Sequence, residues 1–542
     1  MERIIEKVLY NSRWLLVPIY FGLIALLLML TVNFVVDLVT LVPQVLVWSE
    51  KEAILATLTL VDLALVASLV SDRAGWPIAT LTLVGQAGLA GLLAWTVSTS
   101  GTVSYAVGGF AAPYGIELVV DGLSGAVALL VAVVSLGVLA YARQAGPHSS
   151  SFYGLYLLLV AGLTGMTVTG DVFNLYVFLE ISGLATYALV ASAGTGRSAV
   201  SALKYLLFGT VAASLYLLGV GYALVATGTL NMADLATELA AVGYDSPLVL
   251  ASFGFVVVGL ATKTALFPLH TWQPDAYNDS PDSVSALISA LVSTVAAYAL
   301  LRIVYTVYTP AFFDAVPVAR DAIVVFACLS IVVGSVLAVA QTEVKRMLAY
   351  SSVSQYGLVV VGLAIGTRAA LFGAIVHLVG HAIMKGGLFV AAGTIDDLTG
   401  ATTVEEYAGL AGRFPVLGGA SAILMLAMVG VPPAVGFAGK WYIALGAVRA
   451  GTWTVAIVIF ASTLLTLAYF AILVERMFVA PASASVRAAT DGGSERLGGP
   501  AAPPRSLLAL IVGAAVVAVV LGFAVTGLET ALEPTLDTLL SP

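Results

Sequence analysis

Long apolar stretches recur along nearly the whole of this 542-residue chain. Each of them runs for about 18 residues or more, which is enough for a helix to span a hydrocarbon core roughly 30 Å thick. Only 10% of the residues are charged, whereas a soluble domain carries about 25% charged residues. Too few polar side chains remain to cover a water-facing surface, so the sequence predicts a polytopic membrane protein.

The spans are predicted to be helices, because a backbone in lipid must satisfy its hydrogen bonds internally. The short alternating segments of a membrane β-barrel are not seen. The fold class is therefore an all-α polytopic membrane protein with about fifteen transmembrane helices. They are predicted near residues 14–36, 53–71, 77–98, 119–142, 152–169, 171–192, 200–227, 248–268, 283–305, 320–341, 348–366, 369–393, 415–447, 453–477 and 507–529.

The distribution of basic residues predicts the orientation in the cell membrane. Residues 1–13 mix acidic and basic side chains, unlike a cleaved signal peptide, so the first span is expected to stay. With the N-terminus in the cytoplasm, the inside segments hold thirteen Lys and Arg residues and the outside segments hold five. The positive-inside rule then places the N-terminus in the cytoplasm and the C-terminus outside.

Several classes of function are disfavoured by what the sequence lacks. The single cysteine, Cys328, excludes an internal disulfide and a cysteine cluster for zinc or iron–sulfur binding. Neither a dinucleotide-binding glycine fingerprint nor a P-loop is found. The net charge of −8 argues against nucleic-acid binding. We expect no cofactor, no metal site, no nucleotide hydrolysis and no nucleic-acid partner.

Four lysines and one glutamate lie inside apolar spans, namely Lys204, Lys263, Lys385, Lys440 and Glu180. A charged side chain at a helix centre costs about 2.5–3.5 kcal/mol on insertion scales. Four of the seven lysines of the chain occupy these unfavourable places, which favours a role in proton transfer over static ion pairs. For Lys204, one turn into its span, snorkelling to the membrane interface is an equally good explanation.

Two of these lysines stand beside helix-breaking residues. Lys263 precedes Pro268 by five residues, and Lys440 follows Pro432 and Pro433. Proline removes a helical donor and clashes with the preceding turn, so we expect both helices to be broken there. Discontinuous helices of this kind are typical of transporters, and their freed backbone groups can bind water along a proton path.

A third lysine belongs to a stripe of titratable residues. His377, His381 and Lys385 recur at every fourth position and line one helical face over about 12 Å. Groups spaced in this way can pass protons through intervening waters, and histidine changes charge near neutral pH. His377 taken alone is as well explained as a packing residue, whereas the complete stripe favours a relay.

Four motifs carry a family resemblance: DVFNLYVFLE, KTALFPLHTWQPDAY, HLVGHAIMKGGLFVAAG and VGVPPAVGFAGKW. They resemble the membrane antiporter subunits of respiratory complex I, membrane hydrogenases and Mrp antiporters, over roughly residues 72–530. The stretch VGGFAAPYGIELVVDGLSG is most similar to the D-type subunit of Mrp antiporters. The resemblance implies an antiporter-like core of fourteen helices, with two inverted five-helix repeats and a broken helix in each.

The resemblance also implies roles for individual residues. Glu180 matches the family glutamate that pairs with the lysine of the first broken helix, here Lys263. The His377, His381 and Lys385 stripe matches the central relay. Lys440 matches the terminal lysine, in the second broken helix.

The chain departs from the family at a polar position of one span. Where family members often have lysine or histidine, this chain has Ser289 or Thr294. A hydroxyl can hydrogen-bond water but cannot hold a positive charge at neutral pH. We therefore expect these two residues to form a water-mediated or weakened relay between the two halves.

The start of the chain is a second departure. Residues 1–70 resemble the first helices of the small YqhA-like membrane protein family and replace the usual first antiporter helix. The predicted organisation is thus residues 1–70, a proton-translocating core at 71–479, a flexible cytoplasmic loop at 480–506 that is rich in Pro, Gly, Ala and Ser, and a final span with a short tail at 507–542.

The resulting hypothesis is a non-enzymatic membrane subunit of a multisubunit Na⁺/H⁺ antiporter. Its expected partners are the other subunits of a hetero-oligomeric complex, H⁺, Na⁺ and the lipid bilayer. An alternative is a proton-pumping, non-redox subunit of a complex I-like oxidoreductase or membrane hydrogenase. A membrane scaffold without transport is a third alternative.

Overall fold

The computed structural model describes residues 75–146, 148–490 and 502–541. Twelve helices in these ranges are long and apolar enough to span a membrane. They are Gly75–Ser100, Gly122–Ala142, Ser150–Val168, Val172–Ala191, Gly196–Thr227, Pro247–Thr264, Asp282–Val307, Pro317–Val339, Val344–Ile365, Arg368–Thr399, Trp453–Phe478 and Arg505–Phe523.

A further crossing is built from two half-helices, Pro415–Val429 and Val435–Arg449. Every span predicted between residues 77 and 529 therefore has a counterpart, and the predicted fold class is confirmed. The spans predicted at 14–36 and 53–71 lie outside the described residues. The remaining described helices are short: Met232–Val242, Trp272–Asp279, Thr309–Ala315, Leu410–Arg413, Ala484–Thr490 and Val525–Leu540.

A short β-hairpin adds to the predicted all-helical architecture. Its strands, Val103–Ala106 and Glu117–Val120, pair antiparallel with Val103 opposite Val120. The sequence analysis missed these strands because four residues are too few to show a clear alternation. Isolated bridges join Leu118 to Thr169 and Asp171 to Asn231. These loops meet at one end of the bundle, which is called the hairpin end below.

Both broken helices are interrupted at their proline motifs. The first broken helix consists of Pro247–Thr264 and Trp272–Asp279, and Pro268 lies in the break. Ala265 ends its first half with a φ of 62°. In the second broken helix, Pro415–Val429 ends at Gly430 and Val435–Arg449 begins after Pro432 and Pro433. Gly430 has a φ of 96°, which a residue without a Cβ adopts at little steric cost.

One helix, Asp282–Val307, occupies the middle of the bundle and is called the central helix. All the residues of its most apolar window are buried inside the protein. Two π-helical segments, Ile288–Val292 and Ile303–Val307, interrupt its regular winding. It packs against Pro247–Thr264 on one side and against Val344–Ile365 and Arg368–Thr399 on the other. The central helix thus lies between the two broken helices.

The segment predicted as a flexible loop at 480–506 is folded in its first part. Residues Ala484–Thr490 form a short helix, and Val486 is buried. The Ser483 hydroxyl donates to the carbonyl of Glu406 at 2.7 Å, which attaches the segment to a neighbouring loop. The high content of Pro, Gly and Ser therefore does not exclude local structure here. Residues 491–501 lie outside the described part of the chain.

Candidate functional site

The first half of the candidate site is the Glu180–Lys263 pair. The Nζ atom of Lys263 lies 3.7 Å from Oε1 of Glu180. The Lys263 side chain is buried, and that of Glu180 is about a quarter exposed. Lys263 stands in the last turn of Pro247–Thr264, where the helix dipole favours a positive charge. The structure thus brings together the two residues that the family resemblance paired.

Tyr187 is a further partner of Lys263 that the sequence analysis missed. Lys263 Nζ donates a hydrogen bond to the Tyr187 hydroxyl at 3.1 Å. The Tyr187 ring packs edge-on against Tyr205, which in turn stacks on Trp272 of the first broken helix. Tyr187 follows Glu180 by two helical turns and so lies on the same helical face. That spacing is the signal that could have identified it.

If Lys263 relays protons, as the family resemblance implies, we expect Tyr187→Phe to lower proton transport roughly tenfold, because a hydrogen bond to a charged group contributes about 1.5–3 kcal/mol. Gly209→Ala should act in the same direction, since a Cβ at position 209 would lie 1.8 Å from the Tyr187 hydroxyl oxygen and must displace it. Gly221→Ala in the same helix is the matched control, as its Cβ would meet no atom within 4 Å. The measurement is proton flux in proteoliposomes that contain each of the three variants. A wild-type flux in Tyr187→Phe would show that the hydrogen bond between Tyr187 and Lys263 does not contribute to transport.

Lys204 lies in a separate cluster of charges, towards the end of the bundle opposite the hairpin. Its Nζ atom is 2.7 Å from Oδ2 of Asp275, and Arg346 lies 3.0 Å from Oδ1 of the same carboxylate. The Lys204 side chain is about one-third exposed. The Asp275 carboxylate thus lies between two cations, which fix the short second half of the first broken helix. Asp275 belongs to the KTALFPLHTWQPDAY motif, but its role was not predicted from the sequence.

Uncharged polar side chains connect the first broken helix to the central helix. Together with the buried ionisable residues they form a row of buried polar groups, which is called the buried axis. Gln273 donates to the hydroxyls of Tyr277 and Ser293, at 3.0 and 3.2 Å. Ser293 donates in turn to the carbonyl oxygen of Lys263 at 3.5 Å. All three side chains are buried. They connect the end of the helix that carries Lys263 to the central helix.

The two hydroxyls proposed as a water relay have different positions. Thr294 lies 2.9 Å from the hydroxyl of Tyr356 and also donates to the carbonyl of Ala290. Ser289 donates to the carbonyl of Ala286 within the central helix. The structure therefore places Thr294, together with the unpredicted Ser293, on the axis between the two halves.

Tyr356 links the central helix to the histidine stripe. The Tyr356 ring packs against the His381 ring, with centroids 4.7 Å apart. His381 is fully buried, and neither of its ring nitrogens has a hydrogen-bonding partner among the described residues. His377 Nε2 lies 2.8 Å from Oε1 of Gln355. The hydrogen bond between Thr294 and Tyr356 and the ring contact between Tyr356 and His381 therefore lead from the central helix to the centre of the stripe.

Lys385 and Lys440 each bind backbone carbonyls in the second half. Lys385 is fully buried and donates to the carbonyl of Leu348 at 2.6 Å and to the Ser351 hydroxyl. Lys440 donates to the carbonyls of Met428 and Val429 at 2.9 and 3.0 Å. These two carbonyls end the first half of the second broken helix, where unpaired acceptors favour a cation.

The helix of the histidine stripe packs closely on the second broken helix. A Cβ at Gly439 would lie 2.6 Å from Cβ of His377, so glycine lets the residue before Lys440 touch the stripe. The buried polar groups thus extend from Glu180 to Lys440. Among the described residues, no group of three or more His, Cys, Asp or Glu side chains could hold a metal ion.

Apolar helices, two broken helices and a buried lysine axis define this chain as an antiporter-like subunit of a membrane complex. The family described as NADH:quinone oxidoreductase/Mrp antiporter, TM, matches residues 169–466. The chain belongs to this family, which confirms the resemblance found in the four motifs. Residues 9–71 match the uncharacterized protein family UPF0114, which confirms the resemblance of the N-terminal segment to the YqhA-like family.

Relatives and solved structures support both kinds of complex. The chain is 48% identical to NADH-quinone oxidoreductase subunit N of Desulforudis audaxviator, over 69% of this chain and 75% of the relative. It is 35% identical to the D-type subunit of the Na(+)/H(+) antiporter of Bacillus subtilis, over 70% and 76%. A chain of the archaeal membrane-bound sulfane sulfur reductase superimposes with a TM-score of 0.81 at 28% identity, covering 91% of this chain and 97% of that chain.

A chain of the Mrp complex from Dietzia sp. DQ12-45-1b gives a TM-score of 0.80 at 25% identity, covering 90% of this chain and 97% of that chain. The relatives are subunits, and the solved structures are complexes. Other subunits are therefore the supported partners of this chain, which is a multi-pass membrane protein.

Proposed function

We propose that this chain is the proton-translocating subunit of a multisubunit antiporter that exchanges cytoplasmic Na⁺ for protons. The observation that carries the proposal is the buried polar axis that joins the two broken helices. Its ionisable members are Glu180, Lys263, His377, His381, Lys385 and Lys440. The similarity to the D-type antiporter subunit of Bacillus subtilis and to the Mrp complex supports the assignment to an antiporter.

Proton transfer along the axis needs no covalent chemistry. A charged Lys263 is stabilised by Glu180 and by the Tyr187 hydroxyl, and it is destabilised when Glu180 takes up a proton. Loss of that stabilisation favours transfer of a proton from Lys263 towards Ser293 and Thr294. Hydroxyls both donate and accept hydrogen bonds, so they can order water between ionisable groups without being charged themselves.

The charges at the two ends of the bundle support an orientation. Basic residues favour the cytoplasmic side, and four of them lie at helix termini opposite the hairpin end, namely Arg197, Lys345, Arg346 and Arg413. We therefore propose that the hairpin end faces outwards and that the Lys204–Asp275 cluster exchanges protons between Lys263 and the cytoplasm. Residues 71–479 would form the translocating core, with 507–542 completing it.

A second candidate function is favoured by one observation, the 48% identity to an NADH-quinone oxidoreductase subunit N. In that case the same axis would pump protons while attached redox subunits supply the energy. The chain itself would hold no redox group in either case. The two functions differ in the partners of the chain and in the need for Na⁺.

Purification of the complex from its native membrane distinguishes the candidates. A tag on the exposed C-terminal segment allows the co-purified subunits to be identified by mass spectrometry. If the chain belongs to an antiporter, a Na⁺ gradient alone should change the internal pH of proteoliposomes that contain the purified complex. Redox partners together with proton movement that needs an electron donor would support the second candidate. A complex that moves protons under neither condition would contradict both.

A further inference from the structure

The face of the central helix that carries Thr294 continues to the hairpin end of the bundle. Thr294, Tyr298 and Arg302 recur at every fourth position and span about 12 Å along this face. At its inner end, Thr294 contacts Tyr356 of the axis. At its outer end, Arg302 and Tyr298 line a pocket of about 90 Å³ together with Glu117, Thr169 and Asn231.

Arg302 is held between this pocket and the axis by two fixed partners. Its guanidinium forms an ion pair with Asp121, and its Nε donates to the Tyr298 hydroxyl at 2.9 Å. Asp121 is itself fixed, because its carboxylate accepts from the backbone amides of Leu123 and Ser124 and caps the next helix. Only 12% of the Arg302 side chain is exposed.

Neither hydrogen-bonding partner of the Tyr298 hydroxyl can pass a proton on. Its hydroxyl donates to the carbonyl of Thr167 at 2.8 Å and accepts from Arg302. A guanidinium has five donors, has no acceptor and is not deprotonated in proteins. A member of a proton-conducting chain must both accept and donate, so Arg302 interrupts any such chain.

We propose that Arg302, held by Asp121 and Tyr298, is a barrier that prevents protons from passing between the buried axis and the hairpin end along the central helix. The proposal rests on the proposed function, since a barrier matters only beside a proton-carrying axis. Such a barrier favours lateral transfer. Protons that reach Thr294 are kept from the hairpin end along the central helix and can pass on to the histidine stripe.

Passive proton leak through the reconstituted complete complex tests this barrier. A pH difference is imposed without any Na⁺ gradient or electron donor, and its decay is followed with a fluorescent pH indicator. Arg302→Gln should raise the leak at least tenfold, because an amide both accepts and donates hydrogen bonds, and Arg302→Lys should also raise it, because a buried lysine can release its proton. Arg320→Gln is the control, because the Arg320 side chain is 41% exposed and contacts Asp321.

The amount of purified complex shows whether each variant assembles. An assembled Arg302→Gln complex with a wild-type leak would overturn the barrier. If Arg302→Gln does not assemble, Asp121→Asn carries the test, since asparagine is also a good helix cap but releases the guanidinium. A raised leak in Asp121→Asn supports the proposal, and an unchanged leak overturns it. Coupled transport is measured separately, so loss of the proposed function and loss of the barrier are distinguishable.

Discussion

Replacing Lys263 with methionine is expected to reduce coupled proton transport roughly 100-fold or more, which is the usual contribution of a well-placed proton-transfer group. Methionine keeps an unbranched side chain of similar length but cannot carry a proton. Lys263 contacts both Glu180 and Tyr187, so its loss removes the ionisable group that links Glu180 to the break of the first broken helix. The measurement is Na⁺-driven proton flux in proteoliposomes that contain the complete complex.

The matched control for this variant is Arg413→Met, which removes a basic residue from an exposed position. It should assemble and transport at the wild-type rate. Lys263→Met should assemble in normal amounts, because burying an uncharged side chain costs less than burying a charge. Normal transport by an assembled Lys263→Met complex would show that protons do not use the first half of the axis.

A loss of similar size is expected for Lys440→Met, again roughly 100-fold or more. Lys440 binds the carbonyls that end the first half of the second broken helix. It lies on the far side of the central helix from Lys263, so the two lysines belong to different halves of the molecule. If protons must pass through both halves in series, either single substitution suffices to stop transport.

Lys440→Met has its own control in the same helix. Arg449 ends that helix at an exposed position, and Arg449→Met should leave the flux unchanged. A double variant, Lys263→Met with Lys440→Met, should transport no less than either single variant, because one block already stops a series path. Substantial transport by Lys440→Met, with none by Lys263→Met, would show that protons leave the first half without crossing to Lys440 and would contradict lateral transfer.

The sequence predicted the spans, the breaks and the charged residues because each has a local signal. Apolar runs of a fixed length identify the membrane helices. Prolines beside Lys263 and Lys440 identify the discontinuous helices. Charged side chains inside apolar runs are rare enough to be noticed one at a time.

The uncharged members of the axis could not be predicted in this way. Serine, threonine and tyrosine are common in membrane helices, so Ser293 and Tyr356 have no distinguishing local pattern. Their significance depends on contacts between distant parts of the chain. Thr294 and Tyr356, for example, are 62 residues apart. The family resemblance did not distinguish Ser289 from Thr294. The structure does, because Thr294 contacts Tyr356, whereas Ser289 bonds a carbonyl of its own helix.

Lys204 shows a similar limit for a charged residue. Its position near the end of a span was compatible with snorkelling and with a relay. The partner that decides its environment is Asp275, which lies 71 residues further along the chain. The sequence alone does not show that the Asp275 carboxylate is bound by both Lys204 and Arg346. The geometry therefore adds Asp275 to the group of residues to be tested.

The central claim is that hydrated, buried side chains connect the two halves between Thr294 and Lys440. A high-resolution cryo-EM map of the complete complex in lipid tests it most directly at His381, whose ring nitrogens have no partner among the described residues. Buried water typically makes about three hydrogen bonds. We expect ordered waters that bridge His381 to Tyr356 and to Lys385. A map in which apolar side chains surround His381, with no water within hydrogen-bonding distance, would contradict it.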